Sequence, residues 1–402
     1  MLYRPCLPNG KLAPLPWPIA IYRLTNIICW PLVDNASWMA KIFDRFWYIL
    51  GFAIFLVTND AEFRYLRLNL NNLDELLTGI PTYFVLIEIH VRAFSLGWNK
   101  NKLKKLLQKF YAKIYIDEPD NPKIYKNIQR QLIPILGFSC LYLCALFVYS
   151  VTPIYLLSTG SRELMYKMIP PMDHTPLYIY LPWLISNMWV GVTVATMMFG
   201  EANTLSMMVF HLNGRYQLMR ENFVAKVDKL LKGKDDTDIA MRFRQILVEI
   251  LNENERLNTF ANEVQDEFTF HLFIIFGFMA ASICALGFKV YTSPMTSIGY
   301  MFWAMGKVQE TIAFGTMGTS IVTVTDEISS MYYESKWELI MQRSMNPKVN
   351  VRIMKLVNMA ITINSKPFSL TGLNFFSVSL TSAVAILQGA GSYFTCLISF
   401  RQ

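Results

Sequence analysis

Charge is scarce in this sequence. Only 16% of its 402 residues are Asp, Glu, Lys or Arg, while 53% are hydrophobic and 14% aromatic. That balance is too apolar for a water-soluble globule of this length and suits a bilayer. Cysteine is sparse, at 6, 29, 140, 144, 284 and 396, with no CxxC pair, so neither a disulfide framework nor a zinc site is indicated. The four histidines, at 90, 174, 211 and 271, form no metal-ligand spacing. No Walker loop, GxGxxG, GxSxG or HExxH is present, so nothing calls for an enzyme or a cofactor. The first 20 residues hold Pro5, Pro8, Pro14, Pro16 and Pro18 and no continuous apolar core, so no cleavable signal peptide is expected. A net charge of +8 does not require nucleic acid, because basic cytoplasmic loops of a membrane protein account for it.

What is present is a series of charge-poor runs, each about 18 to 25 residues and long enough to cross about 30 Å of hydrocarbon as a helix. They lie at 42–60, 74–97, 132–157, 177–202, 268–291, 298–324 and 373–399. The expected fold is all-α and seven-spanning. With the N-terminus inside, 29 of the 37 Lys and Arg residues fall on the inner side, which predicts a cytoplasmic N-terminus and an extracellular C-terminus. The segment Ile19–Trp30 reads as an amphipathic patch lying on the membrane surface. Between the fourth and fifth spans, Phe243, Leu247, Ile250, Leu257, Ala261 and Val264 form a stripe at helical spacing. That stripe packs either under its own spans or against a neighbouring subunit. A second cytoplasmic helix, 348–363, carries Ile353, Leu356, Val357, Ala360 and Ile363 and ends before Pro367.

Ionisable groups within spans require partners or water. Glu88 and Arg92 stand at i, i+4 and Lys307 and Glu310 at i, i+3, spacings that allow each pair to satisfy itself; either pair alternatively serves ligand or ions. Glu201 is expected in the interfacial zone. A small-molecule pocket in a helical bundle lies between helices and is largely apolar. The outer halves of the second, third, fourth and sixth spans offer Tyr83 and Phe84, Phe147 and Ser150, Trp183 and Asn187, and Trp303 and Gly306. Tyr83 and Phe84 lead this group because Pro81 beside them opens the backbone, and Asn187 offers a hydrogen bond for a ketone or an alcohol.

The ending SYFTCLISF (392–400), the block KPFSLTGLNFFSVSL (366–380) and MYYESKWELI (331–340) resemble the C-terminal region of insect odorant receptors. Gustatory receptors, the related alternative, usually end in Thr-Tyr, five residues, then Gln-Phe; here Ser392-Tyr393 and Ser399-Phe400 stand in those places. The resemblance implies a subunit of an odorant-gated, non-selective cation channel in the plasma membrane of a sensory neuron. Its implied partners are a small volatile odorant, membrane lipid and an olfactory co-receptor in a hetero-tetramer, with no nucleic acid. It also implies a domain order: a cytoplasmic segment (1–41), transmembrane helices 1–4 (42–202), a cytoplasmic helical anchor loop (203–267), helices 5–6 (268–324), an anchor helix (325–372) and a pore-lining last helix (373–402). Carried over position by position, it puts Cys396, Ser399 and Phe400 toward the pore axis. An unrelated polytopic transporter is the remaining alternative, although no internal repeat is evident.

Overall fold

The computed structural model describes residues 2–401 except 174, 234–237 and 295–296; within helices the side chains of Leu73, Phe400 and Arg401 are also outside the description. The chain runs α1 (Trp17–Thr25), α2 (Trp38–Leu68), α3 (Leu73–Lys109), a π-turn (Phe110–Ile114), α4 (Pro122–Ser158), α5 (Leu177–Lys232), α6 (Ile239–Thr292) and α7 (Ile298–Tyr333). It continues through α8 (Trp337–Arg343), α9 (Pro347–Ile363), a two-residue hairpin of β1 (Thr371–Gly372) and β2 (Phe376–Ser377), and α10 (Leu380–Arg401). Among the described residues seven helices exceed 20 residues, and they coincide in order with the seven expected spans. Several starts are set by local chemistry. Asn121 and Asn346 each accept a backbone N–H three residues on, with Pro at the next position, and Ser37 and Asn72 cap α2 and α3 in the same way. Each cap contributes about 1 kcal/mol.

Five of the seven, α3, α4, α5, α6 and α10, are apolar enough by composition alone to cross a membrane. Helix α7 falls short because one turn contains Lys307, Gln309 and Glu310. Large apolar side chains also point outward, among them Phe43, Phe46, Ile49 and Leu56 on α2 and Phe147, Val151 and Ile154 on α4. A belt of this size is suited to lipid. The chain is a multi-pass membrane protein.

Three expectations need correction. The Ile19–Trp30 segment is not a surface patch: Ile19, Tyr22, Ile28, Cys29 and Trp30 are essentially fully buried. Gly200 of α5 makes this possible, since a Cβ there would stand 2.2 Å from that of Tyr22. The segment is then fixed by Asn26 Nδ2 donating to Thr196 Oγ1 (2.5 Å) and Trp30 Nε1 donating to the Tyr3 carbonyl (2.8 Å).

Second, the segment expected as a helical loop (203–267) is built mainly from the ends of the spans themselves. Helix α5 continues to Lys232 and α6 begins at Ile239, so both spans extend unbroken beyond the apolar run. The stripe from Phe243 to Val264 is buried within this chain, with Phe223 facing Phe243 and Phe110 stacked on Phe260. On α9, Ile353, Val357 and Ala360 are likewise buried, whereas Leu356 is half-buried and Ile363 exposed.

Third, the last helix begins at Leu380 rather than near residue 373. Leu373 and Asn374, both at positive φ, form the centre of a turn closed by Phe375 N–H to the Gly372 carbonyl (2.9 Å). The hairpin is held by Gln265 of α6, whose amide both donates to the Thr371 carbonyl and accepts its N–H, each at 2.9 Å.

Candidate ligand cavity and last helix

Between α3, α4, α5 and α7 lies a partly open chamber of about 50 Å³. Its wall is built from helical faces. Helix α4 contributes Tyr142, Ala145, Leu146 and Tyr149, the i, i+3, i+4, i+7 set of one face. Val85 comes from α3, Gly191, Val194, Ala195 and Met198 from α5, and Trp303 from α7, while Met165 and Tyr166 of the 159–176 connection close one side. Two glycines permit the close approaches. A Cβ at Gly306 would stand 2.7 Å from the Tyr142 ring, and one at Gly191 would stand 2.5 Å from Met165 Cε.

The same helical faces carry charge on the next turns. Arg92 bonds Glu88 at 2.5 Å and Glu201 at 2.7 Å; Lys307 lies 3.3 Å from Glu88 and 3.1 Å from Glu310. His271 Nδ1 of α6 stands 2.9 Å from Glu201 Oε1. All six side chains are at least 97% buried. The two expected pairs therefore exist, but they are parts of one network that ties α3, α5, α6 and α7 together. Glu201 belongs to its interior rather than to the interface, because Arg92 and His271 offset the cost of burying it. Tyr142 connects network and chamber: its ring lines the cavity while its hydroxyl donates to Glu310 Oε2 at 2.6 Å.

Helix α10 packs on α6 and α7 along a narrow seam. Ala383 and Ala390 are buried, and Phe394 meets Tyr291 edge-on at 5.9 Å. Where α10 starts, contact with α7 is tight: a Cβ at Gly318 would stand 2.0 Å from the Val378 carbonyl oxygen, and one at Gly315 2.7 Å from Ala383 Cβ. The other side of α10, with Tyr393, Cys396 and Ser399, is exposed. Ser399 Oγ donates to the Cys396 carbonyl at 2.7 Å.

The family model described as 7tm Odorant receptor matches residues 72–391. The chain belongs to the insect odorant receptor family. It is 41% identical to Odorant receptor 74a of Drosophila melanogaster over 399 residues, covering 99% of each chain. It is 38% identical to Odorant receptor 35a of the same species over 402 residues, 100% of this chain and 98% of that one. The fold resembles that of the insect olfactory receptor OR5 from Machilis hrabei, with TM-score 0.76 at 15% identity over 95% of this chain and 96% of that one. A second structure of OR5, in complex with eugenol, matches at TM-score 0.77 and 14% identity, over 96% of this chain and 97% of that one. Family and fold are those of receptors, not of enzymes.

Within the receptor, the eight residues singled out for the ligand do not form one group. Trp303 lines the chamber, and Gly306 lies behind Tyr142. Tyr83 turns toward Phe63 of α2, with ring centroids 6.2 Å apart, and Phe84 toward Phe278 of α6, at 6.0 Å; the next residue, Val85, faces the chamber. Phe147 is exposed on the outside of α4, and Ser150 is half-buried and off the lining face. Trp183 borders a separate groove between α2 and α5 with Ile54 and Val57. Asn187 is fully buried, with no hydrogen-bond partner on either amide atom among the described residues. Cys396 and Ser399 share the exposed side of α10, whereas the Phe400 side chain lies outside the described residues. The reading from sequence missed Tyr142, Tyr149 and Tyr166, as well as the buried Glu62 of α2. The signal for the first two was the 142/145/146/149 periodicity, one position out of phase with Phe147 and Ser150; one residue rotates a helical face by about 100°.

Proposed function

We propose that this receptor is the tuning subunit of an odorant-gated, non-selective cation channel, in which a small volatile occupies the Tyr142–Trp303 chamber and opens a pore lined by α10. The observation that carries the reading is the position of Tyr142, at once chamber wall and hydrogen-bond donor to the ion network that joins four helices. A ligand that fills the chamber more favourably in one arrangement of these helices shifts the receptor toward it, and only that difference in affinity drives gating. A volatile of about ten heavy atoms gains about 5 to 8 kcal/mol at roughly 0.5 to 0.8 kcal/mol per atom, which corresponds to a dissociation constant between about 200 μM and 1 μM. The closed state is therefore poised within a few kcal/mol of the open one. OR5 of Machilis hrabei has been captured with eugenol, which supports a small-molecule site in this fold.

The uncovered side of α10 supports assembly around a shared axis, with Cys396, Ser399 and Phe400 toward the conduction path and an olfactory co-receptor completing a hetero-tetramer. The intracellular ends of α5 and α6, with α8 and α9, serve as the anchor. Charge supports the orientation: segments 100–130, 215–256 and 336–366 meet at one end of the bundle, where Lys109 pairs with Glu263, Lys226 with Glu249 and Lys336 with Asp228. That end is the cytoplasmic one. An epitope fused after Gln402 is expected to be reachable on intact cells and one fused before Met1 only after permeabilisation; reversed labelling contradicts this topology.

The test of the function is an odorant-panel current recording with and without the co-receptor. Odorant-evoked cation current that requires both subunits is expected. Robust current in cells lacking the co-receptor removes the hetero-tetramer, and the absence of current under both conditions removes the channel.

A further inference from the structure

The chamber contains one polar group whose chemistry restricts what binds there. Trp303 is 7% exposed and lines the cavity, yet its Nε1–H has no hydrogen-bond acceptor among the described residues. An indole nitrogen only donates, so no other group can satisfy it by offering a proton. Of the wall's hydroxyls, that of Tyr142 has an outlet of its own, donating to Glu310 Oε2. The Tyr149 hydroxyl, like the indole N–H, has no hydrogen-bond partner among the described residues; a hydroxyl accepts as well as donates, so it does not demand an acceptor from the ligand as the indole does. Beyond these and Tyr166, the lining is alanine, glycine, valine, leucine and methionine. A buried donor in such a place is satisfied by the acceptor of a bound molecule.

We infer that Trp303 Nε1–H is the specificity-determining donor of the chamber, and that the receptor is tuned to volatiles with an unhindered oxygen acceptor, such as a ketone, ester or ether, on a hydrocarbon frame. This rests on the chamber being the odorant site. Leaving the buried donor unpaired disfavours a hydrocarbon of the same shape by about 5- to 150-fold. A site that places a hydrogen-bonding group discriminates against the analogue lacking it more strongly than an apolar pocket discriminates against a missing methylene.

The experiment pairs each oxygenate that evokes a current with its methylene isostere, for instance heptan-2-one with 2-methylhept-1-ene. Currents are recorded from the assembled receptor for the wild type, Trp303→Phe and Ala145→Leu, with surface expression measured for each. In the wild type the oxygenate is expected to be about 5- to 150-fold more potent than its isostere. Trp303→Phe keeps a ring in the wall and removes the donor; the ratio is expected to approach one, through loss of oxygenate potency. A wild-type ratio near one, a panel to which only hydrocarbons respond, or a ratio preserved in Trp303→Phe overturns the inference. The wild-type arms decide even where the Phe variant does not reach the surface. Ala145→Leu separates the two levels, because it fills the chamber without touching the donor. If it suppresses responses to oxygenates while Trp303→Phe leaves the ratio unchanged, the site stands and the donor role falls. If it leaves every response intact, the chamber is not the odorant site and the inference falls with it.

Discussion

Replacing Arg92 by methionine is expected to remove most of the receptor from the cell surface. The guanidinium is fully buried and, among the described residues, contacts Glu201 together with the His271 imidazole, while it shares Glu88 with Lys307. Without it, the three carboxylates of the network are left with one ammonium and the His271 imidazole. Removing one partner of a buried pair typically costs about 3 to 5 kcal/mol, because the remaining charge keeps its desolvation penalty and loses its compensation. That is a large fraction of the stability of an ordinary domain. Glu310→Gln is expected to be far milder, because the amide oxygen still accepts from Tyr142 and Lys307 retains Glu88. The control is Arg64→Met: Arg64 pairs with Asp60 at 2.8 Å, but both are about half exposed, and a pair of that kind contributes no more than about 1 kcal/mol. Surface biotinylation of the three variants checks the ranking. Wild-type surface levels of Arg92→Met contradict the view that the network holds the bundle together.

The second large effect is expected from a single methyl group. Gly318→Ala places a Cβ 2.0 Å from the backbone oxygen of Val378, an atom that cannot rotate away as a side chain can. The chain entering α10 must then move off α7, and overpacking of this kind costs typically about 1 to 3 kcal/mol. Odorant-evoked current is expected to be lost or strongly reduced even in receptor that reaches the surface, because the seating of α10 on α7 is altered. Gly277→Ala on α6 meets nothing within 4 Å and is the matched control, expected to retain wild-type current. Equal currents from both variants contradict a tight α7–α10 joint.

The helical layout was legible because each span is a long run with little charge, and hydrocarbon tolerates no other element as a single crossing. The features that were not legible share a cause: they depend on which residues meet across the bundle. Glu201 reads as an interfacial residue until Arg92, 109 positions earlier, is seen to meet it. The Ile19–Trp30 segment has the apolar content of a surface helix, and only Gly200 on α5 reveals a slot for Tyr22. The run from Gly372 to Val378 is as apolar as the helix that follows, yet Leu373 and Asn374 at positive φ and the Gln265 side chain make it a hairpin. The four helices named from sequence are those that form the chamber wall, but on α4 the residues named, Phe147 and Ser150, stand one position out of phase with the lining face of Tyr142 and Tyr149.

The central claim is that filling the chamber opens a path along the last helix. The most direct measurement is the rate at which a membrane-impermeant thiol reagent, added outside, modifies Cys396 in the assembled receptor with and without a saturating odorant. Cys6, Cys140 and Cys144 are also exposed, so the rate is read as the difference between the wild type and Cys396→Ser. The account predicts that odorant changes the rate of modification, that modification alters the current, and that Cys396→Ser abolishes both effects. A modification rate at Cys396 that is the same with and without odorant, while current flows, contradicts it.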